Sequence, residues 1–234
     1  MKIATFSGPP SSGKTSVVLK TARYFREKGR KPGVVKFDCL SSDDGQTYKE
    51  HGIPALTGIS GIVCPDHFYV SNMLECIAWG EERGLDVLII ESAGLCNRCA
   101  PHLKNASAVC VMDNLMGLRT PIKVGPMLKR ADIVAVTKGD VVSQAEREVF
   151  AYYVMQANPN ATVLHVNGIT GQGCAELSEM IDREDLSARE LKLRFSMPAA
   201  ICSYCLGERN IREEYSLSTI RTLERSPEDG KGAT

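Results

Sequence analysis

The 234-residue sequence lacks three features that would place it in a special class of protein. Its 28 basic and 28 acidic side chains leave no net charge, so nothing global indicates nucleic acid or an anionic membrane as a partner. No apolar run approaches the roughly 20 residues that cross a bilayer. A predicted strand begins at residue 2, so we expect no signal peptide. We therefore expect a cytoplasmic protein that neither inserts into membranes nor binds nucleic acid.

Cysteine, by contrast, is abundant, with nine residues in the chain. In a reducing compartment cysteines are free, metal-bound or redox-active more often than they are paired in structural disulfides. Four of them form two C-x-x-C pairs, Cys96/Cys99 and Cys202/Cys205. Three others lie on predicted helix or strand positions and are expected to be small core residues: Cys76, Cys110 and Cys174.

The phosphate-loop pattern G-x-x-x-x-G-K-[ST] occupies residues 8–15, between a predicted strand and a predicted helix. Its glycines let backbone N–H groups close around phosphates, Lys14 reaches the β- and γ-phosphates, and the Thr15 hydroxyl holds Mg²⁺. The helix that begins here adds the positive end of its dipole. We therefore predict that a nucleoside triphosphate is bound by Gly8, Ser11, Ser12, Gly13, Lys14, Thr15 and Ser16.

Apolar runs alternate with helical patterns along residues 2–182. Strands are predicted at 2–7, 34–38, 86–91, 106–113, 133–137 and 162–166, and helices at 14–28, 68–83, 143–157 and 174–182. Residues 39–46 are predicted to form a loop and residues 47–66 to be irregular. This alternation predicts an α/β fold of the phosphate-loop NTPase kind. A doubly wound, mostly parallel sheet lies between two helical layers, and the ligand sits at the C-terminal strand ends.

The pattern changes after Asp182. Residues 183–194 are highly charged and are predicted to be helical. We predict a nucleotide-binding domain over 1–185, a C-terminal appendage that carries the second C-x-x-C over 186–225, and a disordered tail over 226–234.

The motif Thr137-Lys138-Gly139-Asp140 follows a predicted strand and has the form [N/T]-K-x-D of a guanine-recognition motif. The Asp140 carboxylate can accept hydrogen bonds from the N1–H and 2-amino groups of guanine, while the lysine stem covers the ring. Adenine offers no such pair of donors, so GTP is favoured and ATP remains an alternative. The loop after the last predicted strand is expected to add Asn167 and Gly168 to the nucleotide site.

Further motifs follow one another in a recognisable order. They are Asp38, Asp44, Cys64-Pro65-Asp66-His67, Glu91-Ser92-Ala93-Gly94, Thr137-Lys138-Gly139-Asp140 and Thr170-Gly171-Gln172-Gly173. This order resembles the urease- and hydrogenase-maturation GTPases of the CobW/HypB/UreG family. They belong to the SIMIBI class of phosphate-loop NTPases, whose members dimerise face to face across their nucleotides. The resemblance covers roughly residues 1–182.

The resemblance implies roles for individual residues of this sequence. The catalytic set is Lys14, Asp38, Asp44 and Glu91, and the Mg²⁺ ligands are Thr15, Asp38 and Glu91. Cys64 and His67 fall where the urease-type proteins carry a Cys-Pro-His nickel motif. Here Asp66 takes the histidine position, and His67 follows one residue later. Cysteine, aspartate and histidine are all ligands for transition metals.

The two C-x-x-C pairs suggest several metal sites. One pair supplies half of a four-coordinate site. Two copies of Cys96/Cys99 across a dimer would form a Cys₄ set suited to Zn²⁺ or a [4Fe-4S] cluster, and His102 is near enough in sequence to join it. This pair follows Glu91-Ser92-Ala93-Gly94, which should respond to the γ-phosphate. Cys202/Cys205 could form a second site, complete the first, serve as a carrier arm or bind structural zinc.

Three functions fit these motifs. The leading hypothesis is a metallochaperone. Mg²⁺-GTP closes a homodimer that binds nickel or zinc through Cys64, His67, Cys96 and Cys99, and hydrolysis releases the metal to a client metalloenzyme or its maturation complex. The first alternative resembles the nitrogenase iron protein, with a dimer-bridging [4Fe-4S] cluster used in electron transfer or cluster delivery. The second is a nucleotide-controlled regulatory switch with structural zinc.

Overall fold

The computed structural model describes residues 1–40, 43–94, 102–183, 191–196 and 207–212. Within these residues, seven parallel strands form one sheet in the order β3-β2-β4-β1-β5-β6-β7. The strands are β1 (Lys2–Ser7), β2 (Pro32–Asp38), β3 (Ala55–Ile59), β4 (Val87–Glu91), β5 (Ser107–Asp113), β6 (Ile133–Thr137) and β7 (Thr162–His165). The parallel α/β fold predicted from the sequence is confirmed.

Helices connect the strands and cover the sheet. They are α1 (Lys14–Glu27), α2 (Asp44–Glu50), α3 (Pro65–Ser71), α4 (Met73–Glu82), α5 (Thr120–Lys123), α6 (Pro126–Lys129), α7 (Gln144–Ala157) and α8 (Cys174–Arg183). In the described part of the chain, none of the helices has the length and apolar character needed to cross a membrane.

Side chains alternate between the two faces of the sheet, as period-two strands require. In β4, Val87 and Ile89 pack with α1 and α8, whereas Leu88 and Ile90 pack with α3 and α4. Further along the second face, β5 and β6 pack against α6 and α7. Every residue of β4 is buried, which is typical of a parallel strand covered on both sides.

The structure differs from the sequence predictions at three elements. Residues predicted as loop or irregular contain α2 and the edge strand β3. The Tyr48 side chain of α2 is fully buried, and Leu56 of β3 is 1% exposed, so tertiary packing stabilises two short elements of weak intrinsic propensity. The helix predicted at 68–83 begins earlier, at Pro65, and is two helices that meet at Asn72.

The described parts of the C-terminal region pack on the sheet domain. Leu193 is fully buried and pairs in an isolated bridge with Leu103, and Lys192 pairs in the same way with Asn210. The prediction of a helix over 183–194 is therefore wrong for residues 191–194, which are held in extended pairing. The rest of the predicted appendage and the predicted tail (186–190, 197–206 and 213–234) lie outside the described residues.

Candidate nucleotide-binding site

The phosphate loop lies between β1 and α1, at the C-terminal edge of the sheet. Gly13 has a left-handed φ of 86° immediately before α1. Gly8 has a φ of 150°, and a Cβ there would lie 2.1 Å from the Val111 carbonyl oxygen. Only glycine fits either position without strain. The sequence thus forms a tight turn before the helix, and the N-terminus of a helix is a favourable place for an anionic ligand to meet backbone N–H groups.

Two side chains of this loop suit an anionic ligand. The Lys14 side chain is buried, and its Nζ donates to the carbonyl oxygens of Gly8 (3.0 Å) and Pro9 (2.9 Å). Burial lowers the pKa of Lys14 to about 8, so a nearby phosphate would stabilise its charged form. The Ser12 hydroxyl is fully buried and has no hydrogen-bond partner among the described residues. Both groups fit a bound phosphate chain.

A cluster of oxygen ligands lies beside Lys14. The Thr15 hydroxyl donates to Glu91 Oε1 (2.8 Å) and to Asp44 Oδ2 (3.1 Å). Glu91 is fully buried at the end of β4, and Asp44 opens α2. Hydroxyl and carboxylate oxygens are the ligands that Mg²⁺ prefers. The predicted magnesium residues Thr15 and Glu91 are therefore in contact, and Asp44 joins them.

Two residues of this cluster are not singled out by any sequence motif. Lys36 Nζ lies 2.8 Å from Glu91 Oε1, 3.0 Å from Asp44 Oδ2 and 3.9 Å from Asp38 Oδ2. The Tyr48 hydroxyl donates to Glu91 Oε2 at 2.6 Å. Burial opposes the charge of Lys36, yet Glu91 and Asp44 raise its pKa above the ordinary value. The signal in the sequence that could have identified Lys36 is a lysine within an otherwise buried strand, two positions before Asp38.

The predicted guanine-recognition motif contacts the phosphate loop directly. The Thr137 hydroxyl donates to the Ser12 carbonyl oxygen at 2.7 Å. Lys138 adopts a left-handed φ of 56°, and its Nζ donates to the Ser11 carbonyl oxygen at 2.7 Å. Asp113, at the end of β5, also contacts Lys138 Nζ at 3.3 Å. The threonine at the first motif position thus ties β6 to the loop through its hydroxyl.

A cavity of about 100 Å³ lies next to this motif. Asp140 and Asn167, both predicted to bind nucleotide, line it together with Arg147 and Gln172. Asn167 Oδ1 accepts hydrogen bonds from two backbone N–H groups of its own loop, at 2.9 and 3.0 Å. Gly168 packs against the start of α1, where an added Cβ would lie 2.7 Å from the Ser16 Cβ. The two loops that carry these predicted nucleotide-binding residues therefore meet at one cavity.

The residues on either side of the first cysteine pair contact the same region. Gly94 has a φ of 77°, and a Cβ there would lie 1.9 Å from the Gly8 carbonyl oxygen. The fully buried His102 ring is hydrogen-bonded through Nδ1 to the Thr5 hydroxyl (2.7 Å) and through Nε2 to the Ser7 hydroxyl (2.9 Å). Burial lowers the pKa of His102 to about 4. The expectation that His102 joins a metal site is wrong, because hydroxyl groups occupy both of its ring nitrogens.

The described residues do not gather the predicted transition-metal ligands into one site, and they contain no group of three or more His, Cys, Asp or Glu side chains arranged to hold a metal. Cys64 is exposed immediately before α3, and His67 is buried in the first turn of that helix. Burial lowers the pKa of His67. Cys96, Cys99, Cys202 and Cys205 lie outside the described residues. Cys76, Cys110 and Cys174 are buried as predicted.

The parallel sheet and the phosphate loop define a phosphate-loop nucleotide-binding protein. Comparison with protein families gives the particular group. Residues 2–165 match the family model described as "CobW/HypB/UreG, nucleotide-binding domain". The chain therefore belongs to the CobW/HypB/UreG family, and the resemblance noted in the sequence motifs is confirmed.

The chain is also similar to individual proteins. An uncharacterized protein of Methanocaldococcus jannaschii is 48% identical over 226 residues, covering 96% of this chain and 97% of the relative. The urease accessory protein UreG of Yersinia pestis is 30% identical, covering 76% and 87%. Among solved structures, HypB from Helicobacter pylori in complex with nickel matches with a TM-score of 0.66 at 20% identity, covering 81% and 90%. The last match shows a shared fold.

Proposed function

We propose that this protein is a GTP-hydrolysing metallochaperone that binds nickel or zinc in a nucleotide-dependent homodimer and delivers it to a client metalloenzyme or its maturation complex. One observation carries the proposal. The residues that bracket Cys96 and Cys99 in sequence, Gly94 and His102, contact Gly8 and Ser7 at the start of the phosphate loop. Membership of the CobW/HypB/UreG family supports the nucleotide part, and its UreG and HypB relatives favour a metal-delivery role over the iron–sulfur alternative.

In this proposal GTP hydrolysis depends on positioning and on charge stabilisation. Lys14 would bind the β- and γ-phosphates, and Thr15, Glu91 and Asp38 would hold Mg²⁺. The Asp44 carboxylate accepts a hydrogen bond from the Thr15 hydroxyl, so it would lie beside the metal and the attacking water. When bound there, Mg²⁺ would supply positive charge to offset the negative charge that develops on the phosphate oxygens.

The choice of GTP rests on the cavity beside the [N/T]-K-x-D motif. Asp140 lines that cavity with Asn167, and its carboxylate would accept both hydrogen bonds that guanine donates. The motif is fixed to the phosphate loop by Thr137 and Lys138, so base and phosphates would be read by one connected unit. GTP should therefore compete for the site more effectively than ATP.

The cargo metal is proposed to bind through Cys96 and Cys99, with Cys64 and His67 as further ligands. Thiolate and imidazole are common ligands of nickel and zinc. A symmetric dimer would supply the second half of the site. Cys202 and Cys205 are assigned to a separate zinc site in this proposal.

The test is metal analysis of anaerobically purified protein with and without Mg²⁺ and a non-hydrolysable GTP analogue. The proposal predicts nickel or zinc bound more tightly in the nucleotide state. Changing Cys96 and Cys99 to Ser should abolish this difference, whereas the matched pair Cys202→Ser and Cys205→Ser should preserve it. The variant Lys14→Ala should bind no nucleotide and show no nucleotide effect on metal.

Three results would contradict the proposal. The first is a metal affinity that is the same with and without nucleotide, together with a rate of GTP hydrolysis that is the same with and without metal. Iron with inorganic sulfide and a visible absorption band would instead favour the cluster carrier. Nucleotide-dependent dimerisation that survives loss of Cys96 and Cys99, together with intact client activation, would favour the regulatory switch.

A further inference from the structure

Lys36 is a charged residue in the middle of a buried strand. Its side chain is 5% exposed, and the flanking residues Val35 and Phe37 are fully buried. A buried ammonium group is costly unless it is paired and hydrogen-bonded. β2 is hydrogen-bonded to β4, and their register places Lys36 opposite Glu91. The strand order therefore sets this lysine against the acidic end of the neighbouring strand.

The lysine and the phosphate-loop threonine share the same two carboxylate oxygens. Lys36 Nζ lies 2.8 Å from Glu91 Oε1 and 3.0 Å from Asp44 Oδ2. The Thr15 hydroxyl lies 2.8 Å and 3.1 Å from those same atoms. A divalent ion bound by the threonine and either carboxylate would therefore sit within a few ångströms of the lysine ammonium.

We propose that Lys36 is an internal counter-ion that competes with divalent metal for Thr15, Asp44 and Glu91, so that Mg²⁺ enters the site only together with the nucleotide phosphates. Asp38, Asp44 and Glu91 carry three negative charges, and Lys36 neutralises one of them at contact distance. The phosphates of a nucleotide add negative charge next to Lys14 and shift the balance toward the divalent ion.

The inference rests on the proposed binding of Mg²⁺ and nucleotide at this site. It adds a second function, which is to keep the cargo metal out of the site when no nucleotide is bound. Nickel and zinc bind oxygen and nitrogen ligands more strongly than manganese does, so an open carboxylate cluster would trap a cargo metal in the nucleotide-free state. The positively charged Lys36 ammonium group repels such ions and cannot act as a ligand for them. Lys36 of β2, rather than the cysteine pair, would therefore keep the cargo metal out of the carboxylate cluster.

The test is a titration of nucleotide-free protein with Mn²⁺, followed by electron paramagnetic resonance of the free ion. Wild-type protein should bind Mn²⁺ weakly without nucleotide and much more tightly with GTP. The variant Lys36→Met should bind nucleotide-free Mn²⁺ at least about tenfold more tightly, because one positive charge leaves the site. Lys28→Met, which removes an exposed lysine paired with Glu179, should behave as wild type. Adding Asp44→Asn to Lys36→Met should reverse the gain.

The proposal is overturned if Lys36→Met binds Mn²⁺ no more tightly than wild type, or if nucleotide-free wild-type protein already binds one Mn²⁺ tightly. The second measurement needs no variant, and Lys36→Gln offers a milder change if Lys36→Met does not fold. Weakened GTP binding by Lys36→Met without any gain in Mn²⁺ affinity would assign the lysine to the phosphates instead. If wild type binds no GTP but Lys36→Met still gains Mn²⁺ affinity, the proposed function fails and the competition stands.

Discussion

The buried His102 makes acid stability a direct test of the packing behind the phosphate loop. Burial lowers the pKa of this histidine from 6.5 to about 4, so the unfolded chain takes up the proton first as the pH falls. The contribution of His102 to stability is complete above pH 6.5, declines toward pH 4 and changes little below it. Between pH 7 and pH 4.5, the titration of His102 lowers the free energy of unfolding by about 2 kcal/mol.

The assay is urea unfolding of wild type and His102→Gln at several pH values across this range. The variant should be less stable at pH 7, because the hydrogen bonds to Thr5 and Ser7 are disturbed, but its stability should fall less steeply on acidification, by about 2 kcal/mol. His165→Gln, which changes an exposed histidine, should keep the wild-type slope. Parallel curves for His102→Gln and wild type would refute the reasoning.

Three further predictions concern the nucleotide site and its support. Asp140→Asn should weaken GTP binding at least about tenfold and favour xanthosine triphosphate, because the amide offers a donor where guanine needs an acceptor; competition binding measures this. Gly94→Ala should reduce nucleotide affinity at least about tenfold in a fluorescent-nucleotide titration, since its Cβ would collide with the Gly8 carbonyl oxygen. Asn158→Ala should cost about 2 kcal/mol in urea unfolding with nucleotide affinity unchanged, because the buried amide donates to two backbone carbonyls.

Much of the fold was predictable because its main elements carry strong local signals. The unbroken apolar run of β4 and the glycine pattern before α1 fix a central parallel strand and the phosphate loop. The short elements α2 and β3 were not predictable, since each is stabilised by contacts distant in sequence. Gly45 of α2 lies against Thr57 of β3, where an added Cβ would be 2.1 Å from the Thr57 hydroxyl. Neither segment shows this approach on its own.

The candidate site was predictable to the extent that single motifs define it. The Thr15 hydroxyl contacts both Asp44 and Glu91, and the family resemblance assigns all three residues to the phosphate and magnesium site. Lys36 and Tyr48 were not predicted, because their contacts with Glu91 depend on which strand neighbours β2. Hydrophobic patterning does not specify strand order. The mistaken expectation for His102 has a similar cause: proximity in sequence to the cysteines gave no indication that β1 hydroxyl groups bind both ring nitrogens.

The proposed ligands of the cargo metal differ in how they connect to the phosphate loop. Gly94 and His102 contact Gly8 and Ser7, which are consecutive residues at the end of β1. A displacement of this junction on nucleotide binding would therefore act on both ends of the segment that contains Cys96 and Cys99. Cys64 precedes α3 instead, in a different connection. If coupling passes through the β1 junction, loss of Cys96 and Cys99 should remove the nucleotide effect on metal affinity, while Cys64→Ser should lower that affinity equally in both nucleotide states. An effect of Cys64→Ser confined to the nucleotide-bound state would show that α3 is part of the coupling.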